Sequence, residues 1–346
     1  MNLGALDWQI FYGWVAVGLF SAVLSFLSCF RVMALAEKSG MIAEPGERQS
    51  HQISTPTGGG LGLIFSVVVT SMCLQFVLPV PVFWWQNMLP GILLLTFVGW
   101  RDDKYSIPWL VRLLVQLAVS IWLLSFGPLQ FSLSDVGLFS TAVLAAVWMM
   151  NLYNFMDGSN GMAGFQGVFA GVVLAVLFQS GGQAAPALIA LAVAAACAGF
   201  LPLNFPRARV FMGDAASVPL GFIFASLAVY GIQTGSLSLH VSILIMAVFI
   251  VDATMTLLAR VIRREQWYTA HAQHVYQRLI AQGWSHHRVL VVYQAINVIL
   301  VLPAVVLAEI YPHYAMATVG FTFLLLGVCW QVANQRLGML AEVHLK

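Results

Sequence analysis

The sequence predicts an all-α, polytopic integral membrane protein with about eleven transmembrane helices, its N-terminus outside and its C-terminus in the cytoplasm. Composition is the first reason. Of the 346 residues 60% are hydrophobic and 8% charged, whereas about a quarter of a soluble protein's residues carry charge. The mean hydropathy of +0.88 agrees. The second reason is the succession of apolar runs, most close to the roughly 20 residues that cross a hydrocarbon core. The third is charge sorting: when the runs are read as crossings, all 15 Lys and Arg fall on one side, which makes that side the cytoplasm.

In chain order the runs lie near 12–33, 58–78, 87–100, 108–126, 136–153, 162–179, 186–204, 216–232, 239–259, 288–309 and 313–332, separated by Pro, Gly and polar breaks. The first is too long for the apolar core of a signal peptide, and its basic flank, Arg31 and Lys38, follows rather than precedes it. It reads as a retained helix. Crossing parity places 34–57, 101–107, 154–161, 205–215, 260–287 and the C-terminal tail inside. Segments 79–86, 127–135, 180–185, 233–238 and 310–312 then lie outside and carry no Lys or Arg. With no repeat or linker, residues 1–346 read as one membrane-embedded domain. Cys29, Cys73, Cys197 and Cys329 sit in different apolar runs and read as packing residues. A net charge of +2 argues against a nucleic-acid partner.

The inside loops concentrate polar chemistry. Positive-inside sorting acts on Lys and Arg, so it does not explain why Asp102, Asp103, Asp157 and Asp214 collect on the same side. A carboxylate-lined site does. Adjacent Asp102 and Asp103 repel unless a cation or shared proton relieves them. Asn151, Asn154 and Asp157 are spaced by three, so a continuing helix would stack them on one face, able to bind a hard cation or merely to cap the helix with Gly158 and Gly161. Asp214 precedes an apolar run and is a cation ligand, an N-cap, or both. Gly58, Gly59 and Gly60 enter another run; their amides suit phosphate, or the glycines pack helices. Arg48 and His51 upstream offer phosphate contacts, or are topology charges. Asp252 is an intramembrane acid and so a functional candidate. His271 and His274 lack the further ligands of a structural zinc site and suit phosphate contact or proton donation.

This ordered set resembles the polyprenyl-phosphate N-acetylhexosamine-1-phosphate transferases of glycosyltransferase family 4. The resemblance is carried by Arg48-x-x-His51 with Thr55-Pro56-Thr57-Gly-Gly-Gly, Asp102-Asp103, Asn151-x-x-Asn154-x-x-Asp157-Gly158, Phe211-Met212-Gly213-Asp214, Asp252 and His271-x-x-His274-x-Tyr276-x-Arg278. It spans residues 44 to 279 and is nearest the branch that initiates bacterial O-antigen or related surface-glycan synthesis. It implies transfer of an N-acetylhexosamine 1-phosphate (GlcNAc, or a 6-deoxy sugar such as FucNAc or QuiNAc) from a UDP-sugar to undecaprenyl phosphate, giving the lipid diphosphate sugar and UMP. Also implied are Mg²⁺, with Mn²⁺ as a substitute, and a place in the bacterial inner membrane with the active site facing the cytoplasm; the sequence leaves the oligomeric state open, a homodimer included.

By the same resemblance Asp214 and Asn154 bind the metal, and Asp102, Asp103 and Asp214 are catalytic, Asp102 orienting or deprotonating the lipid phosphate with Asp103 in support. Arg48, His51, Lys104, Asn151, Asp157, Gly158, His271, His274 and Arg278 contact substrate. Two positions depart from the family pattern. Asn160 stands where many members carry a second Asp, and Ala216 stands where Gly follows the metal Asp, its methyl expected to narrow the approach to the diphosphate. A transporter or channel is the rival class; it predicts polar residues at the midplane of several helices, whereas these gather at one edge. A CDP-alcohol phosphotransferase fails on the residues after Asp157-Gly158.

Overall fold

All eleven apolar runs fall on helices in the computed structural model, which describes residues 8–43, 54–125, 135–266 and 271–344, with side chains to 338. Where no water satisfies backbone amides, a chain this apolar satisfies them within helices. In order these are α1 (Trp8–Ser39), α2 (Gly60–Leu74), α3 (Leu89–Tyr105), α4 (Trp109–Ser125), α5 (Val136–Phe155), α6 (Met162–Ser180), α7 (Ala184–Asn204) and α8 (Asp214–Gln233). There follow α9 (Leu239–Ile245), α10 (Ala247–Ile262), α11 (Val275–Ala281), α12 (His286–Ile296), α13 (Leu302–Ile310) and α14 (Ala315–His344). Strands β1 (Ile42–Ala43) and β2 (Thr55–Pro56) pair antiparallel, and Phe211 N–H donates to the Pro56 carbonyl at 2.8 Å, fastening the 205–213 loop beside them.

Seven helical stretches among the described residues are long and apolar enough to cross a membrane, eight if α9 and α10, bent by 75° at their junction, form one broken span. Helices α2 and α4 are apolar but shorter, at 15 and 17 residues. Helix α3 runs past its expected end, so Arg101, Asp102, Asp103 and Lys104 occupy its last turns instead of a loop. Ser106, in the left-handed region at φ 50°, closes it. The run 288–309 is α12 and α13 joined by a π turn at Asn297–Val301.

Small residues let the helices touch. A Cβ on Gly199 would run into the Ala22 backbone of α1, one on Gly171 into α7, and one on Gly221 into the Met149–Met150 backbone of α5. Lipid tails are as apolar as Leu, so close backbone packing takes over the role of the hydrophobic effect between helices. Helix α8 is the most enclosed span, 78% of its apolar window buried against 11% for α1. Its first turn is therefore a fixed platform on which α3, α4 and α5 converge.

Candidate active site

Successive helical residues point about 100° apart, so Asp102 and Asp103 serve different partners. The Asp103 carboxylate accepts the N–H groups of Asp214 (3.0 Å) and Ala215 (3.2 Å), capping α8 from a different helix. This satisfies orphan amides and opposes the helix dipole. Asp214 is thus the first residue of α8 rather than its N-cap, which is Gly213. Asp102 accepts the Ile107 amide at 2.6 Å and faces Arg112, whose Nη1 is 2.5 Å from it and 3.0 Å from Asp214.

Asp214 therefore stands between two donors: Arg112 on Oδ2, and on Oδ1 the Asn154 amide at 2.7 Å, which also donates to Ser217 Oγ at 2.9 Å. Because α5 ends at Phe155, the expected stripe divides. Asn154 meets Asp214, Asn151 turns to Gln116, and Asp157 lies beyond the helix. Burial, then the neighbouring Asp214 and Asp103 charges, push the Asp157 pKa well above the usual carboxylate range against the pull of the Gly213 amide. Arg112 is the only Lys or Arg lining the cavity among the described residues. Replacing it, Arg112→Gln, should lower kcat/KM about 10- to 100-fold through loss of two charge-assisted hydrogen bonds. Initial rates of the sugar-phosphate transfer that the resemblance implies check this, and unchanged rates would leave the guanidinium a purely structural counter-ion.

A second wall is tied to α10. Asp252 accepts Tyr293 Oη at 2.6 Å, the Val275 amide at 3.1 Å and Thr256 Oγ1 at 3.2 Å, and its Oδ1 lies 3.8 Å from His274 Nδ1. The intramembrane acid thus anchors the start of α11 and sets the place of His274. His271 packs beside it with ring centres 5.0 Å apart, and Phe155 lies against both. Burial first, then His274 and Arg260, push the His271 pKa down to about 4, so its ring is neutral at pH 7. The Nδ1 atoms of both imidazoles are buried without a hydrogen bond. Tyr276 donates to the Phe155 carbonyl at 2.8 Å and fills the space a side chain at Gly158 would need. His286 Nδ1 meets Ser159 Oγ at 2.9 Å, and Asn204 accepts the Gly161 amide at 2.7 Å, holding the 156–161 turn from two sides.

These walls enclose a cavity of about 700 Å³, within the range of small-ligand sites. Asn151, Asn154, Asp157, Gly158, Asp214, His271 and His274 line it. Lys104 is exposed and lies over the Tyr105 ring, and Arg278 donates to Asn334 of α14; neither is among the lining residues. Arg48 and His51 lie outside the described residues. The glycine amides are not open to phosphate: Gly59 and Gly60 donate to the carbonyls of Phe211 (2.9 Å) and Met212 (3.0 Å), so this stretch packs helices. Ala216 points its methyl at Gly60 of α2, so it does not crowd the cavity as expected. Asn160 lines the cavity and donates to the Pro206 carbonyl at 3.2 Å.

Sequence reasoning passed over Arg112, Gln116, Asn204, Ser217 and His286. Arg112 had a signal, being a charge inside an apolar run. The others are ordinary polar residues whose partners lie 35 to 127 positions away.

Asp102 and Asp214 share one guanidinium, with Asp103 on the amides of α8 beside them, an arrangement that repels a phosphate anion unless a cation joins it. Asp214, Asp157 and Asn154 offer hard oxygens, the donor class of Mg²⁺. Among the described residues no three His, Cys, Asp or Glu side chains already converge on a metal position.

The glycosyl transferase family 4 model matches residues 85–232, the stretch from α3 to α8 that builds this centre. A Bacillus subtilis protein described as a probable undecaprenyl-phosphate N-acetylglucosaminyl 1-phosphate transferase is 30% identical over 288 residues, 80% of each chain. A decaprenyl-phosphate N-acetylglucosaminephosphotransferase of Mycolicibacterium smegmatis is 29% identical, covering 82% of this chain and 79% of its own. The undecaprenyl-phosphate alpha-N-acetylglucosaminyl 1-phosphate transferase of Escherichia coli (strain K12) is 26% identical over 89% of both. With this similarity over four fifths of its length, the chain belongs to glycosyl transferase family 4, the polyprenyl-phosphate N-acetylhexosamine-1-phosphate transferases.

Proposed function

We propose that this protein transfers an N-acetylhexosamine 1-phosphate from a UDP-sugar to undecaprenyl phosphate at the cytoplasmic face of the bacterial inner membrane, releasing UMP. GlcNAc and 6-deoxy sugars such as FucNAc or QuiNAc are the donors in view. The product starts O-antigen or a related surface polysaccharide. The observation that carries this reading is one cavity with two kinds of lining: Asp157, Asp214, Asn154 and Arg112, and the apolar Leu113, Leu144, Val147, Trp148 and Leu257. A water-soluble diphosphate suits the first and an isoprenoid tail the second. The relatives' names support the same chemistry.

In the reaction a lipid phosphate oxygen bonds to the phosphorus bearing the sugar, and the bond from that phosphorus to the UMP oxygen breaks. Placement and charge neutralisation supply most of the catalysis in phosphoryl transfer. Asp214 and Asn154 would hold Mg²⁺, which when bound neutralises the diphosphate and weakens the bond to the leaving group. Arg112 fixes Asp102 and Asp214 on either side of itself; Asp214 lines the cavity and Asp102 does not, so Asp102 would orient or deprotonate the lipid phosphate only once Arg112 parts from it. Asp103 acts by holding the α8 terminus in place. His271 and His274 line the cavity, with their Nδ1 atoms turned into the protein and that of His274 facing Asp252 at 3.8 Å.

The test is UMP release by purified protein given undecaprenyl phosphate, Mg²⁺ and each of several UDP-N-acetylhexosamines, with Asp102→Asn and Asp214→Asn as controls. Lipid-dependent release lost in both controls supports the reaction and names the sugar; no release with any donor returns the transporter reading. Orientation has its own check. Single cysteines at positions 104, 159 and 208 should label from the cytoplasm and one at 132 from outside, and a reversed pattern would overturn the parity assignment.

A further inference from the structure

One polar pair in the cavity is used neither by the phosphate centre nor by any helix cap. Asn151 on α5 donates to Gln116 Oε1 on α4 at 2.7 Å and to the Val147 carbonyl at 2.8 Å. A carbonyl only accepts, so the Val147 contact fixes which end of the Asn151 amide is nitrogen. Its second N–H then requires an oxygen from Gln116, which leaves the Gln116 Nε2 donors as that side chain's remaining group. Gln116 is 5% exposed and lines the cavity, and Nε2 is not among the sealed, unpartnered atoms, so its donors face the cavity.

The pair's depth gives its meaning. Gln116 is one helical turn beyond Arg112, and Asn151 one turn before Asn154, so the amides lie one turn deeper than the carboxylate centre. Further in along α5 come Trp148, Val147 and Leu144, and Leu144 is 61% exposed on the outer surface of the bundle. Gln116 thus marks the boundary between an apolar lane open to the bilayer and the charged centre. An amphiphile with its tail along the lane places its first polar atoms at that boundary.

We propose that Gln116, held by Asn151, receives the phosphate of the lipid substrate and sets it beside Arg112; this rests on the transferase reading above. Neutral N–H donors suit the position, because they bind phosphate oxygens without adding a cation that would compete with Arg112 for Asp214.

The experiment compares the parent with Gln116→Glu and Gln116→Leu. Gln116→Glu keeps the shape and an oxygen for Asn151 but replaces the donors by a charge that repels phosphate. Binding of undecaprenyl phosphate, followed by the fluorescence of cavity residues Trp109 and Trp148, should weaken about tenfold or more, with a matching rise in its KM and little change in the KM for the nucleotide sugar. Gln116→Leu removes the donors without a charge and should give a several-fold loss, deciding the matter if the Glu variant does not fold. Undecaprenol, which lacks the phosphate, should bind all three alike. Equal affinity of undecaprenyl phosphate for parent and variants, or an equal loss of undecaprenol binding, overturns the assignment. A parent that binds undecaprenyl phosphate through Gln116 yet releases no UMP with any donor would refute the transferase reading and leave the site standing.

Discussion

Asp214→Asn is expected to reduce transfer by about 10³-fold or more while the protein remains inserted and folded. The substitution keeps volume and shape, so the packing of α8 beneath it is not disturbed. What it removes is charge, and with it the geometry of donors: Asp214 accepts Asn154 on one oxygen and Arg112 on the other. An amide presents nitrogen to one of those two donors, so one contact is lost whichever way it turns. In the proposed reaction the cation on the diphosphate would also lose a ligand, and losses of one preorganised charged contact at a reacting centre run to roughly 10²–10³ in kcat. UMP release at saturating Mg²⁺ is the measurement. Turnover near the parent's would remove Asp214 from the metal role.

Gly213→Ala should be nearly as damaging by a different route. Gly213 sits at φ 75°, ψ 172°, a conformation open almost only to glycine, and a Cβ there costs about 1–3 kcal/mol in backbone strain alone. The new methyl would also run into both carboxylate oxygens of Asp103, the group that caps α8. The cap and the loop cannot both keep their places, so Asp214 moves and activity falls about 10²-fold or more, with a lowered Tm. Gly182→Ala separates the two causes, because Gly182 has φ 74° but nothing within 4 Å of an added Cβ. It should show the strain in Tm and leave transfer intact. Equal effects of the two substitutions on transfer would mean that the contact with Asp103 is irrelevant.

Much of the site was legible because its residues are chemically conspicuous in an apolar chain. Asp102, Asp103, Asn154, Asp157 and Asp214 stand out against 8% charge, and their common side follows from counting crossings. Their pairings were not legible. The i, i+3 spacing put Asn151, Asn154 and Asp157 on one stripe, but helix α5 stops at Phe155 and each residue takes a partner from a different element. Arg278 carried a motif position yet turns to α14, while Arg112, with no motif to announce it, bridges two carboxylates. Gly58 to Gly60 read as packing more readily than as a phosphate site, and the carbonyls of Phe211 and Met212, which accept the Gly59 and Gly60 amides, decide for packing.

The sequence by itself determined the class of molecule and the order of its helices, because hydropathy and turn residues are local properties that hold whatever the rest of the chain does. It also determined which chemical groups the inner loops would contribute. The tertiary structure alone decided that Asp103 caps a helix 111 residues away, that Arg112 reaches Asp214 across 102, and that Gln116 finds Asn151 across 35. Those distances depend on how closely helices cross. Crossing is set by small residues meeting backbone face to face, as Gly99 of α3 meets the carbonyl of Asp214, a pairing between two surfaces that neither segment encodes alone.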